Sequence, residues 1–188
     1  MIMSSDGDVS AEMPEVEAYG TGRAARRRAA LVANVADVAL AAMPVPLRVL
    51  DIGCRDGRLI RELVERLPNA YEISGVDPAE PMVRIAREYT EGVARFRQAR
   101  PEELPFADDH FDLVLTMMSY RHWDDPSRGL REVGRVLAPG GVFVLADAGA
   151  GRRVARAIAG AGLRVRGHAT VARRLGVFPS ARAFTASG

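Results

Sequence analysis

The sequence predicts an α/β fold: a seven-stranded, mostly parallel sheet with helices on both faces and an antiparallel hairpin at its C-terminal edge. Three observations predict it. From Arg48 onward, short runs rich in Val, Ile, Leu and Phe alternate with helical stretches, and strands buried on both faces of a parallel sheet read as such near-continuous apolar runs. Most consecutive runs are far enough apart to hold a helical crossover. The last two, Leu163 to Ala172 and Val177 to Thr185, are separated only by Arg173-Arg174-Leu175-Gly176, too short for a parallel connection, so they read as a hairpin.

The elements follow in order. Met1 to Val16 is polar, and residues 1–22 are expected to be disordered or loosely ordered ahead of a single domain over 23–188. Arg23 to Ala42 is an alanine-rich helix, ended by Met43-Pro44-Val45-Pro46 because proline disfavours helix just before it. Strand Arg48 to Ile52 precedes helix Arg58 to Leu67, and strand Tyr71 to Val76 precedes helix Pro81 to Thr90. Strand Val93 to Gln98 comes next, then strand Phe111 to Met117 with helix Ser127 to Leu137, and strand Gly141 to Ala146 with helix Arg152 to Ala161.

Composition narrows the class. A chain of 188 residues with 48% hydrophobic and 27% charged residues is a soluble globular protein with room for one core. No run reaches the roughly 18–20 apolar residues needed to cross a bilayer, so no membrane partner is expected. Met1 to Ser10 lacks a basic region followed by an apolar stretch, so the cytoplasm is the expected compartment. All 26 basic residues are arginine, and after Asp147 there are eight arginines and no acidic residue. Such asymmetry attracts anions, yet scattered arginines, like the cluster Arg26-Arg27-Arg28, are ordinarily a solvated face, so a nucleic-acid partner is not expected. Cys54 is the only cysteine and reads as a small packing residue. His110, His122 and His168 lack metal-ligand spacing, and no metal is expected.

The chemistry gathers at the ends of the apolar runs. Arg48-Val49-Leu50-Asp51-Ile52-Gly53-Cys54-Arg55-Asp56-Gly57-Arg58-Leu59 is a strand, a glycine turn and a helix start. In an open parallel sheet ligands bind beyond the carboxyl ends of the strands, where a glycine turn and a helix N-terminus present N–H groups to an anion. Asp51 faces the same crevice or caps the turn. Asp77 ends the next strand, where a carboxylate takes both hydroxyls of a ribose or caps the following helix.

These segments, together with Leu104-Pro105-Phe106, Phe111-Asp112 and the tail His122-Trp123-Asp124-Asp125 through Arg135-Val136-Leu137-Ala138-Pro139-Gly140-Gly141, resemble in order and spacing the class I, Rossmann-like S-adenosylmethionine (SAM) methyltransferases, in particular the small-molecule branch called type 11. The resemblance covers roughly Arg48 to Asp147 and implies SAM as cofactor and methyl transfer to a small-molecule acceptor by in-line displacement. It implies a cofactor site made of Asp51, Gly53, Cys54, Arg55, Gly57, Asp77, Pro78, Met82, Arg100, Pro101, Glu102, Thr116 and Met117, with Pro78 and Met82 flanking the adenine. His122 is the candidate general base by location and residue type, with a loop histidine packing on Trp123 or lining SAM as its alternative. Tyr120 and Tyr19 are candidates to line the acceptor pocket.

Two residues depart from the family pattern. Arg55 stands where the middle glycine of the turn belongs, with three readings: an ordinary conformation pointing to solvent, a guanidinium pairing the cofactor's carboxylate, or a filled pocket. Arg100 stands where an aspartate holds the adenine amino group, a bond that a cation cannot accept, leaving Glu102, Glu103 or the backbone alone to hold it. The alternative function is a methyltransferase-like protein that has lost SAM binding or catalysis and serves as a binding or scaffold partner. A nicotinamide-dependent reductase fits less well with the Pro139-Gly140-Gly141 segment and the hairpin. The link Asp147 to Gly151 is short, which predicts an open site and suits a large acceptor, a partner-borne one, or a homodimer.

Overall fold

The computed structural model describes residues 22–172 and 181–188. Helix α1 (Gly22–Ala42) leads to β1 (Arg48–Ile52), α2 (Arg58–Arg66), β2 (Glu72–Asp77), α3 (Glu80–Thr90), β3 (Arg95–Gln98) and β4 (Phe111–Met117). A single 3₁₀ turn (Tyr120–His122) follows, then α4 (Pro126–Val136), β5 (Leu137–Ala148), α5 (Arg152–Gly160), β6 (Arg164–Ala172) and β7 (Ala181–Ser187). The seven strands form one sheet in the order β3-β2-β1-β4-β5-β7-β6. β1 lies between β2 and β4 in parallel register, Asp51 opposite Gly75 and Leu115. β7 runs antiparallel to both β5 and β6.

The pleat sorts the core into two layers. Val49, Leu113, Leu115 and Val144 pack with α1, α2 and α3 through Val35, Ile60, Leu63 and Val83. Leu50, Ile52, Val114 and Phe143 pack on the other face with α4 and α5 through Leu130, Val133 and Ile158. Side chains two apart on a strand share a face, so one apolar run serves both layers. Helices cover both faces, and the expected mostly parallel architecture with its C-terminal edge hairpin is present.

The differences from expectation are local and have causes. β5 begins at Leu137, directly after α4, instead of at Gly141. Pro139-Gly140-Gly141 reads as a break, yet Leu137 pairs with Phe111 and the ladder resumes at Leu113–Val142 after an irregularity. Gly140 takes φ 80°, a left-handed value that glycine adopts without strain. A Cβ at Gly141 would stand 2.8 Å from the Ala138 carbonyl oxygen, so the second glycine is needed for space. β7 spans Ala181–Ser187 instead of Val177 to Thr185. The expected hairpin link and the expected loose segment, apart from the helical Gly22, lie outside the described residues, as does Tyr19.

Candidate functional site

β1 carries Asp51 to the carboxyl end of a central strand, where it is 2% exposed. Its Oδ1 has no hydrogen-bond partner among the described residues. Burial, reinforced by the negative charges of Asp77 and Asp56, pushes this carboxyl up to about 8. An unpartnered buried carboxylate oxygen costs free energy unless something meets it. A cationic ligand group is the partner that this position lacks.

The chain then turns through Gly53 (φ 76°), Arg55 (φ 50°) and Gly57 (φ 71°). The N–H groups of Gly53 and Cys54 both donate to the Val76 carbonyl, at 2.8 and 3.0 Å, which locks the turn to β2. A Cβ on Gly53 would stand 2.0 Å from Ser119 Oγ and 2.5 Å from Ser119 Cβ. Only glycine lets the turn after β4 close down on the turn after β1. Gly57 is less confined, a Cβ there standing 3.1 Å from Ala86 Cβ and 3.3 Å from Phe96 Cζ, and it forms the N-cap of α2 without a side-chain cap. The first N–H groups of α2 are therefore available to an anion, and the helix dipole favours one there.

Arg55 corrects the expectation of an ordinary conformation: it keeps the left-handed backbone of the glycine it replaces. Its side chain is exposed. Its N–H donates to Asp77 Oδ2 at 3.0 Å, while Asp77 Oδ1 accepts from Ala79 N–H at 2.9 Å. Asp77 thus stitches the first turn to the entrance of α3. Carboxylate oxygens have further lone pairs, so this role leaves capacity for a ribose. Cys54 is buried, and burial together with the charges of Asp51 and Asp77 pushes its thiol up, opposite to a reactive thiolate.

Pro78 is exposed and Met82 half-buried beside that entrance, and Pro101 is buried with its ring near Gly129. Glu102 is 9% exposed and its Oε1 accepts from Asp125 N–H at 3.0 Å, while Glu103 is exposed. Arg100 pairs with Asp124. Thr116 is fully buried and its Oγ1 has no hydrogen-bond partner among the described residues, and Met117 is half-buried.

His122 is exposed, and its Nε2 accepts from Arg121 Nε at 3.1 Å. The ring that packs on Trp123 is that of Tyr120, edge to face with centroids 5.2 Å apart, and not that of His122. Sequence reasoning missed Arg121 and Asp147. Arg121 Nη1 lies 3.0 Å from Asp147 Oδ1, and Arg121 N–H donates to Asp147 Oδ2 at 3.2 Å. Asp147 is 2% exposed and also accepts from Ala148 N–H. A signal was present: Asp147, like Asp51 and Asp77, stands at the carboxyl end of an apolar strand.

Among the described residues no group of His, Cys, Asp and Glu could hold a metal, and no helix is long and apolar enough to cross a membrane. The arrangement fits an amino-acid nucleoside: a buried carboxylate for an ammonium, an uncapped helix start for a carboxylate, and a second acid one strand over for a ribose.

Comparison with known proteins agrees with this geometry. Residues 50–145 match the methyltransferase domain family. The chain is 41% identical over 113 residues to a demethylmenaquinone methyltransferase of Thermus thermophilus, covering 58% of this chain and 51% of that protein. It is 33% identical over 105 residues to a ubiquinone/menaquinone biosynthesis C-methyltransferase of Geotalea daltonii, covering 53% of this chain and 45% of that one. The chain thus spans about half the length of the curated relatives it matches. Among solved structures, the [4+2]-cyclase SpnF superposes with a TM-score of 0.75 at 20% identity over 90% of this chain and 84% of that one, a likeness of fold alone. With the glycine turn, the strand-end acids and the family match all in the same span, the chain belongs to the methyltransferase domain family of class I, Rossmann-like enzymes, whose methyl donor is S-adenosylmethionine.

Proposed function

We propose that the protein transfers a methyl group from SAM to a small-molecule acceptor. The observation that carries this reading is Asp51, buried at the end of β1 with an unpartnered oxygen, beside a turn that keeps its left-handed backbone even where arginine replaces glycine. Bound SAM supplies a sulfonium methyl open to nucleophilic displacement. Asp51 receives the ammonium of the methionine part, and the start of α2 with the turn from Gly53 through Cys54 and Arg55 to Gly57 receives its carboxylate. Asp77 receives the ribose hydroxyls. Pro78, Met82, Pro101 and Met117 enclose the base and sulfur region, while Glu102 and Thr116 support its walls from within. Holding the reacting atoms in line supplies most of the acceleration such a site gives.

The scaffold alternative finds no support. Arg55 is exposed and retains the turn, and Arg100 is engaged by Asp124. Relatives that methylate demethylmenaquinone or act in ubiquinone/menaquinone biosynthesis make a quinol-type molecule the first acceptor to try. The test is incubation with SAM and a reduced demethylnaphthoquinol, followed by mass spectrometry. Gain of one methyl on the acceptor with equimolar S-adenosylhomocysteine supports the reading. S-adenosylhomocysteine failing to form across a panel of small acceptors overturns it.

A further inference from the structure

We infer that Trp123 is a positioning residue for the cofactor: it fixes Ser119 against the glycine turn that takes the methionine end, while its ring is tied to the adenine side of the site. The inference rests on the methyl-transfer reading above and deepens it by naming a residue that acts on the ligand through another. Its basis is a chain of contacts between the two halves of the site. On one side the Gly53 turn is held by the Val76 carbonyl, which accepts from the Gly53 and Cys54 N–H groups. On the other side it meets Ser119, since the three atoms nearest the place of a Gly53 Cβ all belong to that residue. Ser119 Oγ accepts from Trp123 Nε1 at 3.3 Å. An indole nitrogen only donates, so the bond runs in one direction and selects the serine rotamer that presses on the turn.

The indole is itself held in place. Trp123 is 7% exposed, and Tyr120 packs edge to face on its ring. A Cβ on Gly129 of α4 would stand 2.5 Å from Trp123 Cε3 and 3.4 Å from Pro101 Cβ, so the indole and the proline of the adenine-side loop converge on one glycine. Two residues past the tryptophan, the Asp125 N–H donates to Glu102 Oε1 at 3.0 Å, a second tie to the same loop. A buried indole whose N–H is satisfied combines a large contact area with a fixed direction. It therefore carries the placement of the adenine-side loop across to Ser119.

The consequence falls on one end of the ligand. Without the indole N–H, the Ser119 hydroxyl is free to turn away from Gly53, and the glycine turn loses its support on that side. Its N–H groups are then no longer aligned for a carboxylate. Asp77 and the adenine-side loop keep their own contacts, so the nucleoside end is held as before.

The test is calorimetric titration of the native protein, Trp123→Phe, Ser119→Ala and the double variant with S-adenosylhomocysteine and with methylthioadenosine, which keeps the nucleoside and lacks the amino-acid end. Each single variant is expected to bind S-adenosylhomocysteine about fivefold more weakly, the worth of one neutral hydrogen bond, and methylthioadenosine within about twofold of the native protein. The double variant is expected to be no weaker than the single ones, because both remove the same bond. Should Trp123→Phe bind neither probe, Ser119→Ala decides alone, since it removes that bond and leaves the indole in place. Equal losses for the two probes in Ser119→Ala, no loss for either, losses that multiply to about twenty-five-fold in the double variant, or a native protein that binds S-adenosylhomocysteine but not methylthioadenosine overturns the inference. Failure of the native protein to take up S-adenosylhomocysteine at all instead sinks the methyl-transfer reading, and this inference with it.

Discussion

Gly53→Ala is the substitution whose cost the structure specifies most closely. The new Cβ would stand 2.0 Å from Ser119 Oγ and 2.5 Å from Ser119 Cβ. A rotamer change moves the hydroxyl but not the Cβ, so the backbone of one turn must retreat from the other. Overpacking of this kind costs about 1–3 kcal/mol. Gly53 also sits at φ 76°, and a left-handed L-residue costs about 1–2 kcal/mol more, offset by about 0.4–1 kcal/mol from the less flexible unfolded chain. The expected loss is about 2–4 kcal/mol, a large part of the stability of one domain. Gly149 provides the control, since it has φ 69° but nothing within 4 Å of the place a Cβ would take. Gly149→Ala is expected to cost about 1 kcal/mol from backbone strain alone. Urea denaturation of both variants measures the difference, and Ser119→Gly in the Gly53→Ala background should return part of it. Equal costs for Gly53→Ala and Gly149→Ala, or no return in the double variant, would refute the contact between the two turns.

Three further outcomes follow from the same geometry. Arg55→Gly relieves a left-handed arginine of about 1–2 kcal/mol and adds about 0.5–1 kcal/mol of unfolded-chain entropy, so thermal denaturation should show a gain of up to about 1 kcal/mol; a loss of that size would contradict the strain reading. Asp51 has a carboxyl raised to about 8 by burial, so in the ligand-free protein its contribution is fully present below its unfolded value and lost as pH rises through about 8. A bound ammonium reverses that preference, so near neutral pH calorimetry in buffers of different ionisation enthalpy should find about one proton released on binding S-adenosylhomocysteine, falling toward zero above about pH 9 and absent in Asp51→Asn. Arg135 donates to the Leu104 and Phe106 carbonyls and pairs with Glu132 and Asp108. Arg135→Met should therefore cost about 1–3 kcal/mol and speed hydrogen exchange between residues 99 and 110, with no such local change expected if the arginine is merely a surface charge.

Legibility in the sequence followed the range of the interaction. The turn after β1 is legible because glycine and aspartate act on their own neighbours, and the strands are legible because a doubly buried strand is apolar throughout. Pro139-Gly140-Gly141 misled because pairing with β4 decides whether that segment is strand. The place of β7 between β5 and β6 is a choice among edges that loop length does not make. The left-handed backbone of Arg55 was hinted at only by its place at a glycine position, and its bond to Asp77 on the neighbouring strand had no signal in the sequence. Arg121 and Asp147 are 26 residues apart and meet only because β4 and β5 are adjacent. The bond from the Asp125 N–H to Glu102 Oε1, near the start of α4, joins residues 23 apart and had no signal in the sequence.

The central claim is that the turn after β1, with Asp51 and Asp77, holds a methionine-bearing nucleoside. Calorimetric titration of the purified protein with S-adenosylhomocysteine, run beside Asp51→Asn, tests it most directly. The account predicts micromolar binding, around −8 kcal/mol, by the native protein, weakened about tenfold or more in the variant through loss of a charged hydrogen-bond partner. No binding by the native protein at millimolar ligand, or equal binding by both proteins, would contradict it.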